Sequence, residues 1–139
     1  MEIDVEHVEG PRAIAIMKLT GELDASCYQD AIEQSQELRS AGTKNLLLDL
    51  SDLSFMASSG LISLYNIAFT MRGDSIPDGE SGWNVLHEIR DELANTTKKE
   101  AHLKLLSPQP RIEKTLKMTG FDKLIEIFSD RDEALRSFS

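Results

Sequence analysis

Residues 45–61, NLLLDLSDLSFMASSGL, decide the fold. Residues 45–50 are short and almost entirely apolar, which is typical of a strand covered on both faces, as in a parallel sheet. Residues 51–54, SDLS, indicate a turn out of this strand. The next apolar positions have helical spacing, and they are Leu61, Leu64, Tyr65, Ala68 and Phe69. We therefore expect a strand, a turn and a helix, with Ser58-Ser59-Gly60 at the start of the helix.

Strands and helices alternate on both sides of this segment. The expected elements are strands at 3–8 and 13–19, a loop at 20–24, a helix at about 26–41, the strand and helix above, a strand at 101–106, a helix with Ile112, Leu116 and Met118, a strand at 124–128 and a terminal helix capped by Ser129 or Asp130. Such alternation predicts an α/β fold with a mostly parallel sheet and helices packed on it. The leading pair of strands surrounds a Gly10-Pro11 turn, which indicates a hairpin with one antiparallel strand at the edge of the sheet.

Between the second helix and the strand at 101–106 lies an unusually long connection. Residues 73–83, GDSIPDGESGW, are rich in turn-forming residues and predict a loop, and residues 84–94 predict an amphipathic helix. A connection of this length is usually functional or mobile. Trp83 either packs the extra helix onto the domain or anchors an interface.

Composition narrows the class of protein. The chain of 139 residues suits one domain, and its 40% hydrophobic content is enough for a core. The formal charge is 15 − 24 = −9, which argues against binding to nucleic acid or to an anionic membrane surface, because both need clustered Lys and Arg. The negative charge either keeps the protein soluble or complements a basic surface on a partner protein.

The sequence also predicts a cytoplasmic protein. Cys27 is the single cysteine, so no intrachain disulfide forms and a reducing compartment fits. No basic region precedes an apolar run at the start of the chain, as it would in a secretory signal. No apolar stretch approaches the ~20 residues needed to span a bilayer.

Signatures of enzymes are missing from the sequence. The three histidines, His7, His87 and His102, lie far apart, and none belongs to a metal-binding pattern such as HExxH. No GxGxxG, GxxxxGK[ST] or GxSxG motif occurs, and no pair of carboxylates is singled out as acid and base. We therefore expect no catalytic residues, no metal and no cofactor.

Ser58 is the residue with the most chemical interest. At the start of a helix, a serine hydroxyl can accept a hydrogen bond from a free backbone N–H and so act as a simple N-cap. The same position suits a phosphate, because the first turn has unpaired N–H groups and the positive end of the helix dipole. Phosphorylation adds about −1.5 to −2 charges, so it changes the charge and shape of the surface.

Several blocks of the sequence resemble the STAS domain family, the domain shared by anti-sigma factor antagonists and the tails of sulfate transporters. Segment 45–61 resembles the central motif of the family, and residues 20–24, TGELD, resemble the loop after its second strand. Ser107-Pro108 and residues 118–121, MTGF, resemble its later helix and the following turn. The blocks stand in the family's order. The resemblance implies a single STAS domain over residues 1–139, with an insertion at about 73–98.

The resemblance also implies a role in partner switching. In that role an unphosphorylated antagonist binds an anti-sigma factor that is also a serine kinase, and the sigma factor is released. The kinase then phosphorylates the antagonist on Ser58, with Ser59 as the fallback acceptor, the pair separates, and a PP2C-type phosphatase reverses the change. The implied partner-binding residues are Glu22, Asp24, Ala57, Ser58, Ser59, Gly60 and Leu61.

The chain departs from the family's pattern in two places. The family commonly has an aspartate where this chain has Ala57, and the insertion at about 73–98 replaces a short turn. These departures fit one alternative, a STAS-type scaffold or sensory-complex subunit that regulates a kinase or phosphatase, with self-association through the insertion. A second alternative does not depend on them: because a helix start at the end of a strand can bind phosphate without a P-loop, the chain could be a weak nucleotide-binding protein.

Overall fold

The computed structural model describes residues 1–10, 12–72 and 100–138. The predicted loop at 73–83 with Trp83, the predicted helix at 84–94 and His87 all lie outside these residues.

The described residues form an alternating series of strands and helices, as the sequence predicts. The strands are β1 (Glu2–Val8), β2 (Ile14–Leu23), β3 (Asn45–Asp49), β4 (Leu53–Met56), β5 (Leu103–Leu106) and β6 (Glu126–Phe128), and the helices are α1 (Tyr28–Ser40), α2 (Ser58–Arg72), α3 (Pro110–Thr119), α4 (Phe121–Leu124) and α5 (Arg131–Ser137).

The strands join in one sheet with the order β1-β2-β3-β5-β6. β1 lies at the edge and pairs antiparallel with β2, whereas the pairs β2–β3, β3–β5 and β5–β6 are parallel. β4 stands outside this order and pairs parallel with the last residues of β2. The expected α/β fold, with a mostly parallel sheet and an antiparallel edge strand, is confirmed.

Both faces of the sheet are covered. Leu46, Leu47 and Leu48 of β3 are each fully buried. Leu46 and Leu48 belong to the larger core, which includes residues of α1, α2, α3 and α4. Leu47 points to the other face, into a smaller core with Ala134 and Phe138 at the end of the chain. The apolar run at 45–50 is therefore a strand buried on both sides, as predicted.

The structure corrects the predicted loop at 20–24 and shows a strand that the prediction missed. β2 continues to Leu23, because its last residues pair with β4, and β4 itself was taken as part of a turn. Gly21 explains the error: its φ of 106° interrupts the strand pattern without ending the strand.

Two smaller predictions near the end of the chain were also wrong. The last strand begins at Glu126 rather than at 124, because the short helix α4 uses Leu124 and Phe121 to fill the core. Met118 was expected on the apolar side of α3, but 77% of it is exposed. Ile112 and Leu116 of that helix are buried as expected. Asp130 caps α5 by accepting a hydrogen bond from the N–H of Asp132.

Candidate functional site

Ser58 is the first residue of α2, and it is exposed. The carbonyl oxygen of Ala57 accepts hydrogen bonds from the N–H groups of Gly60 and Leu61, at 2.9 and 3.3 Å. Ala57 is therefore the N-cap residue, and Ser58 occupies the first helical position instead of the N-cap position considered from the sequence. Within the described residues the Ser58 hydroxyl has no hydrogen-bond partner. An exposed hydroxyl thus lies at the positive end of the helix.

The start of α2 is fixed to the end of β2. The backbone N–H of Ala57 donates a hydrogen bond of 2.9 Å to the carbonyl oxygen of Leu23. A Cβ added to Gly60 would lie 2.6 Å from Cγ of Met56 and 3.1 Å from the carbonyl oxygen of Leu23. Only glycine therefore lets the helix approach the strand this closely, and this contact sets the position of Ser58.

The residues after Ser58 turn towards the core. Ser59 is half-buried, whereas Gly60 and Leu61 are buried. Gly60 and Leu61 thus pack the start of the helix against the core. That they also bind a partner stays a prediction. Ser58 and the half-buried Ala57 and Ser59 are the residues of this group that reach the surface.

The two predicted acidic residues lie at the end of β2. Glu22 is exposed, and Asp24 directly follows the strand and is half-buried. The Ser26 hydroxyl and the Ser26 N–H donate hydrogen bonds to Oδ1 of Asp24, at 2.5 and 2.9 Å. These hydrogen bonds stabilise the ionised carboxylate, chiefly through the hydroxyl, and they lower the pKa of Asp24 below its ordinary value. Asp24 is therefore a stable negative charge at neutral pH.

Cys27 lies beneath this acidic end. It is buried, and its Sγ donates a hydrogen bond of 3.2 Å to the carbonyl oxygen of Glu22. This contact helps to hold the end of β2 in place.

Phe55 is a surface residue that the sequence reasoning did not single out. Its exposed fraction is 42%, and it pairs in register with Glu22 of the neighbouring strand. If side chains alternated regularly along β4, Phe55 would point to the same face as the buried Leu53 and would be buried too. However, the register shifts between Gly21 and Glu22, so that Ser54 is an extra residue in β4 and the phenyl ring turns outward. Nothing in the sequence signalled this bulge.

Two other kinds of site are absent from the part of the chain that the structure describes. No group of three or more His, Cys, Asp and Glu side chains there has the arrangement to hold a metal ion. No helix there is long and apolar enough to cross a membrane. His102 is half-buried, and its Nδ1 lies 2.9 Å from Oδ1 of Asn45.

A family model places the site in a known domain. The model of the STAS domain matches residues 2–74 and 79–134. The chain belongs to the STAS domain family. The resemblance noted in three blocks of the sequence is thus confirmed over most of the chain.

Solved structures of STAS proteins share the fold. A candidate anti-sigma factor antagonist from Thermotoga maritima superposes with a TM-score of 0.70 at 17% identity, covering 98% of this chain and 93% of that chain. An anti-sigma factor antagonist from Mycobacterium paratuberculosis superposes with a TM-score of 0.63 at 18% identity, covering 97% of this chain and 94% of that chain. The phosphorylated form of SpoIIAA, a cell fate determinant of Bacillus, gives 0.60 at 18% identity, covering 97% of both chains. Comparison with curated proteins gave no match. At these identities the likeness concerns the fold.

Proposed function

We propose that this STAS domain is an anti-sigma factor antagonist in a partner-switching pathway of the bacterial cytoplasm. It binds an anti-sigma factor that is also a serine kinase when Ser58 is unphosphorylated, and it is released when the kinase phosphorylates Ser58. A PP2C-type phosphatase restores the binding form. The chain acts as a binding protein and not as an enzyme.

The observation that carries this proposal is the exposed, unbonded hydroxyl of Ser58 at the first position of α2. A kinase needs access to the acceptor oxygen, and burial of Ser58 would have removed that access. Ser59, the fallback acceptor, is half-buried, so it is the poorer substrate of the two.

The helix start also accommodates the product. The first turn of α2 contains no acidic residue, so a phosphate on Ser58 meets free N–H groups and the positive helix dipole without a competing carboxylate in that turn. The fold therefore does not need to rearrange. The effect on a partner comes from the bulk of the phosphate and from its strongly hydrated charge, which is costly to enclose in an interface.

The experiment uses paired variants of Ser58 and the purified cognate kinase. Ser58→Ala is expected to retain kinase binding and to take up no phosphate, whereas Ser58→Asp is expected to bind more weakly. Mass spectrometry after incubation with ATP locates the phosphate. If neither Ser58 nor Ser59 carries phosphate and the protein forms a stable large oligomer by light scattering, the scaffold alternative replaces the switch.

A further inference from the structure

Phe55 stands apart from the other apolar residues of the site. In β4 it lies between the exposed Ser54 and the buried Met56, and 42% of it is exposed. Within the described residues the exposed large hydrophobic side chains are Met1, Phe55 and Met118, so Phe55 is the aromatic one. Aromatic side chains are enriched in the cores of protein interfaces, where they supply a large apolar contact.

The backbone holds Phe55 in its outward position. The Ser54 hydroxyl donates a hydrogen bond of 3.0 Å to the carbonyl oxygen of Gly21, across the bulge between β4 and β2. Leu53 and Met56 on either side are buried and fix the strand. Because the backbone is already ordered, little conformational entropy is lost when a partner covers the ring.

Phe55 and Ser58 are close enough to share one interface. Three residues of extended chain span at most about 11 Å. A protein interface of standard size buries about 800 Å² on each partner, which corresponds to a disc about 16 Å in radius. The backbones of Phe55 and Ser58 therefore lie within the radius of one such interface.

The charges beside Phe55 indicate the chemistry of the partner. Glu22 is the register partner of Phe55, and the hydrogen bonds from Ser26 keep Asp24 ionised. Within the described residues neither carboxylate has an ion pair with a lysine or arginine. A surface complementary to this one would carry basic side chains around an apolar depression.

We propose that Phe55 is the anchor of the kinase-binding surface: its ring inserts into an apolar pocket of the anti-sigma factor kinase, and basic groups at the rim of that pocket face Glu22 and Asp24. This inference rests on the proposed function and adds to it the residue that determines affinity. It also explains how Ser58 acts as a switch: the Cα atoms of Phe55 and Ser58 are at most about 11 Å apart, so a phosphate on Ser58 lies within the area of a contact centred on Phe55 and prevents the pocket from closing over the ring.

The test uses each anti-sigma factor kinase of the source genome, purified and measured separately by surface plasmon resonance. The immobilised form carries Ser58→Ala, so that phosphorylation does not disturb the measurement. Adding Phe55→Ala is expected to raise the Kd by at least about 30-fold, equivalent to the ~2 kcal/mol of an interface hot spot, mainly through faster dissociation. Adding Glu22→Gln is expected to slow association and to weaken its dependence on salt.

Met118→Ala is the matched control, because it removes another exposed apolar side chain, on α3, and it should change the Kd less than twofold. Thermal unfolding must show that the Phe55→Ala form is folded, and a second variant, Phe55→Leu, should lie between wild type and alanine. A Kd for Phe55→Ala within threefold of the parent overturns the anchor and leaves the proposed function intact. Equal binding by Ser58→Ala and Ser58→Asp contradicts the switch instead. If no kinase binds the Ser58→Ala form, both the proposed function and the proposed role of Phe55 are wrong.

Discussion

The backbone N–H of Ala57 donates a 2.9 Å hydrogen bond to the carbonyl oxygen of Leu23. This bond connects the end of β2 to the residue that caps α2, and it places Ser58 next to the acidic end of β2. Two segments that are far apart in the sequence thus form one surface. The position of Ser58 depends on this junction rather than on the helix alone.

Gly60 is the residue of this junction that tolerates substitution least. Gly60→Ala is expected to lower the free energy of unfolding by about 1–3 kcal/mol, the usual cost of overpacking. The added methyl would lie 3.1 Å from the carbonyl oxygen of Leu23, a backbone atom that cannot move aside as Cγ of Met56 can. Urea denaturation followed by circular dichroism measures the change.

Ser59→Ala is the control for this prediction, since Ser59 is half-buried in the same turn and alanine favours helix. Its unfolding free energy should stay within about 0.5 kcal/mol of wild type. Equal stabilities for wild type and Gly60→Ala would show that the helix can move away from β2.

The sequence predicted those parts of the fold that depend on hydrophobic pattern alone. The strand at 45–50 could be predicted without knowing its neighbours. Leu46, Leu47 and Leu48 place apolar side chains on both faces of the strand, and both faces are buried. The exposed serine at the start of α2 followed from the change from a strand pattern to a helix pattern.

The missed features depend on pairing between distant strands. β4 has four residues, LSFM, too few for a periodic signal. The bulge that exposes Phe55 arises from the register of β4 against Gly21 and Glu22, which no local pattern encodes. The burial of Gly60 likewise reflects the approach of β2, about forty residues earlier in the chain.

The charge at position 58 should affect stability through the helix dipole. Ser58→Asp places a negative charge at the start of α2, whose first turn has no acidic residue, and is expected to stabilise the protein by about 0.3–1 kcal/mol at low ionic strength. Ser58→Lys should destabilise it by a similar amount. Thermal unfolding in about 20 mM and about 500 mM salt measures both effects, and the difference should shrink at high salt.

This result bears directly on the kinase experiment. A Ser58→Asp form that is more stable than wild type and still fails to bind the kinase has lost the interface and not the fold. If Ser58→Asp proves less stable than Ser58→Lys, the position of Ser58 at the positive helix end is wrong.

Lys104 of β5 offers a test of the second face of the sheet. The side chain is buried, and its Nζ lies 3.0 Å from Oε1 of Glu126, with the rings of Phe128 and Phe138 close by. Glu126→Gln leaves the ammonium group without its charged partner and should lower the free energy of unfolding by about 1 kcal/mol. This is the low end of the usual loss for a buried group that loses its partner, because the Glu126 side chain is 40% exposed.

Lys104→Met is the informative comparison, because it replaces the buried charge by an apolar chain of similar length. Its free energy of unfolding should be within about 1 kcal/mol of the wild-type value. Urea unfolding compares the two variants. A larger loss for Lys104→Met than for Glu126→Gln would mean that the ammonium group stabilises the fold through the aromatic rings as well as through Glu126.

The final prediction concerns the pH dependence of Asp24. Hydrogen bonds from Ser26 lower the pKa of Asp24 in the folded protein, whereas the unfolded chain has the ordinary value of about 3.9. The ionised carboxylate therefore adds stability above about pH 3.9, and this contribution disappears as the pH falls through the lower pKa of the folded state. Carbon-13 NMR of the Asp24 carboxyl group should give a pKa below about 3.9, and Ser26→Ala should raise it, because the side-chain hydrogen bond is the main cause of the shift. Asp24→Asn and wild type should accordingly converge in stability as the solution is acidified. A titration of Asp24 at or above the ordinary value, or one that Ser26→Ala leaves unchanged, would show that the hydrogen bonds from Ser26 do not stabilise this charge at the end of β2.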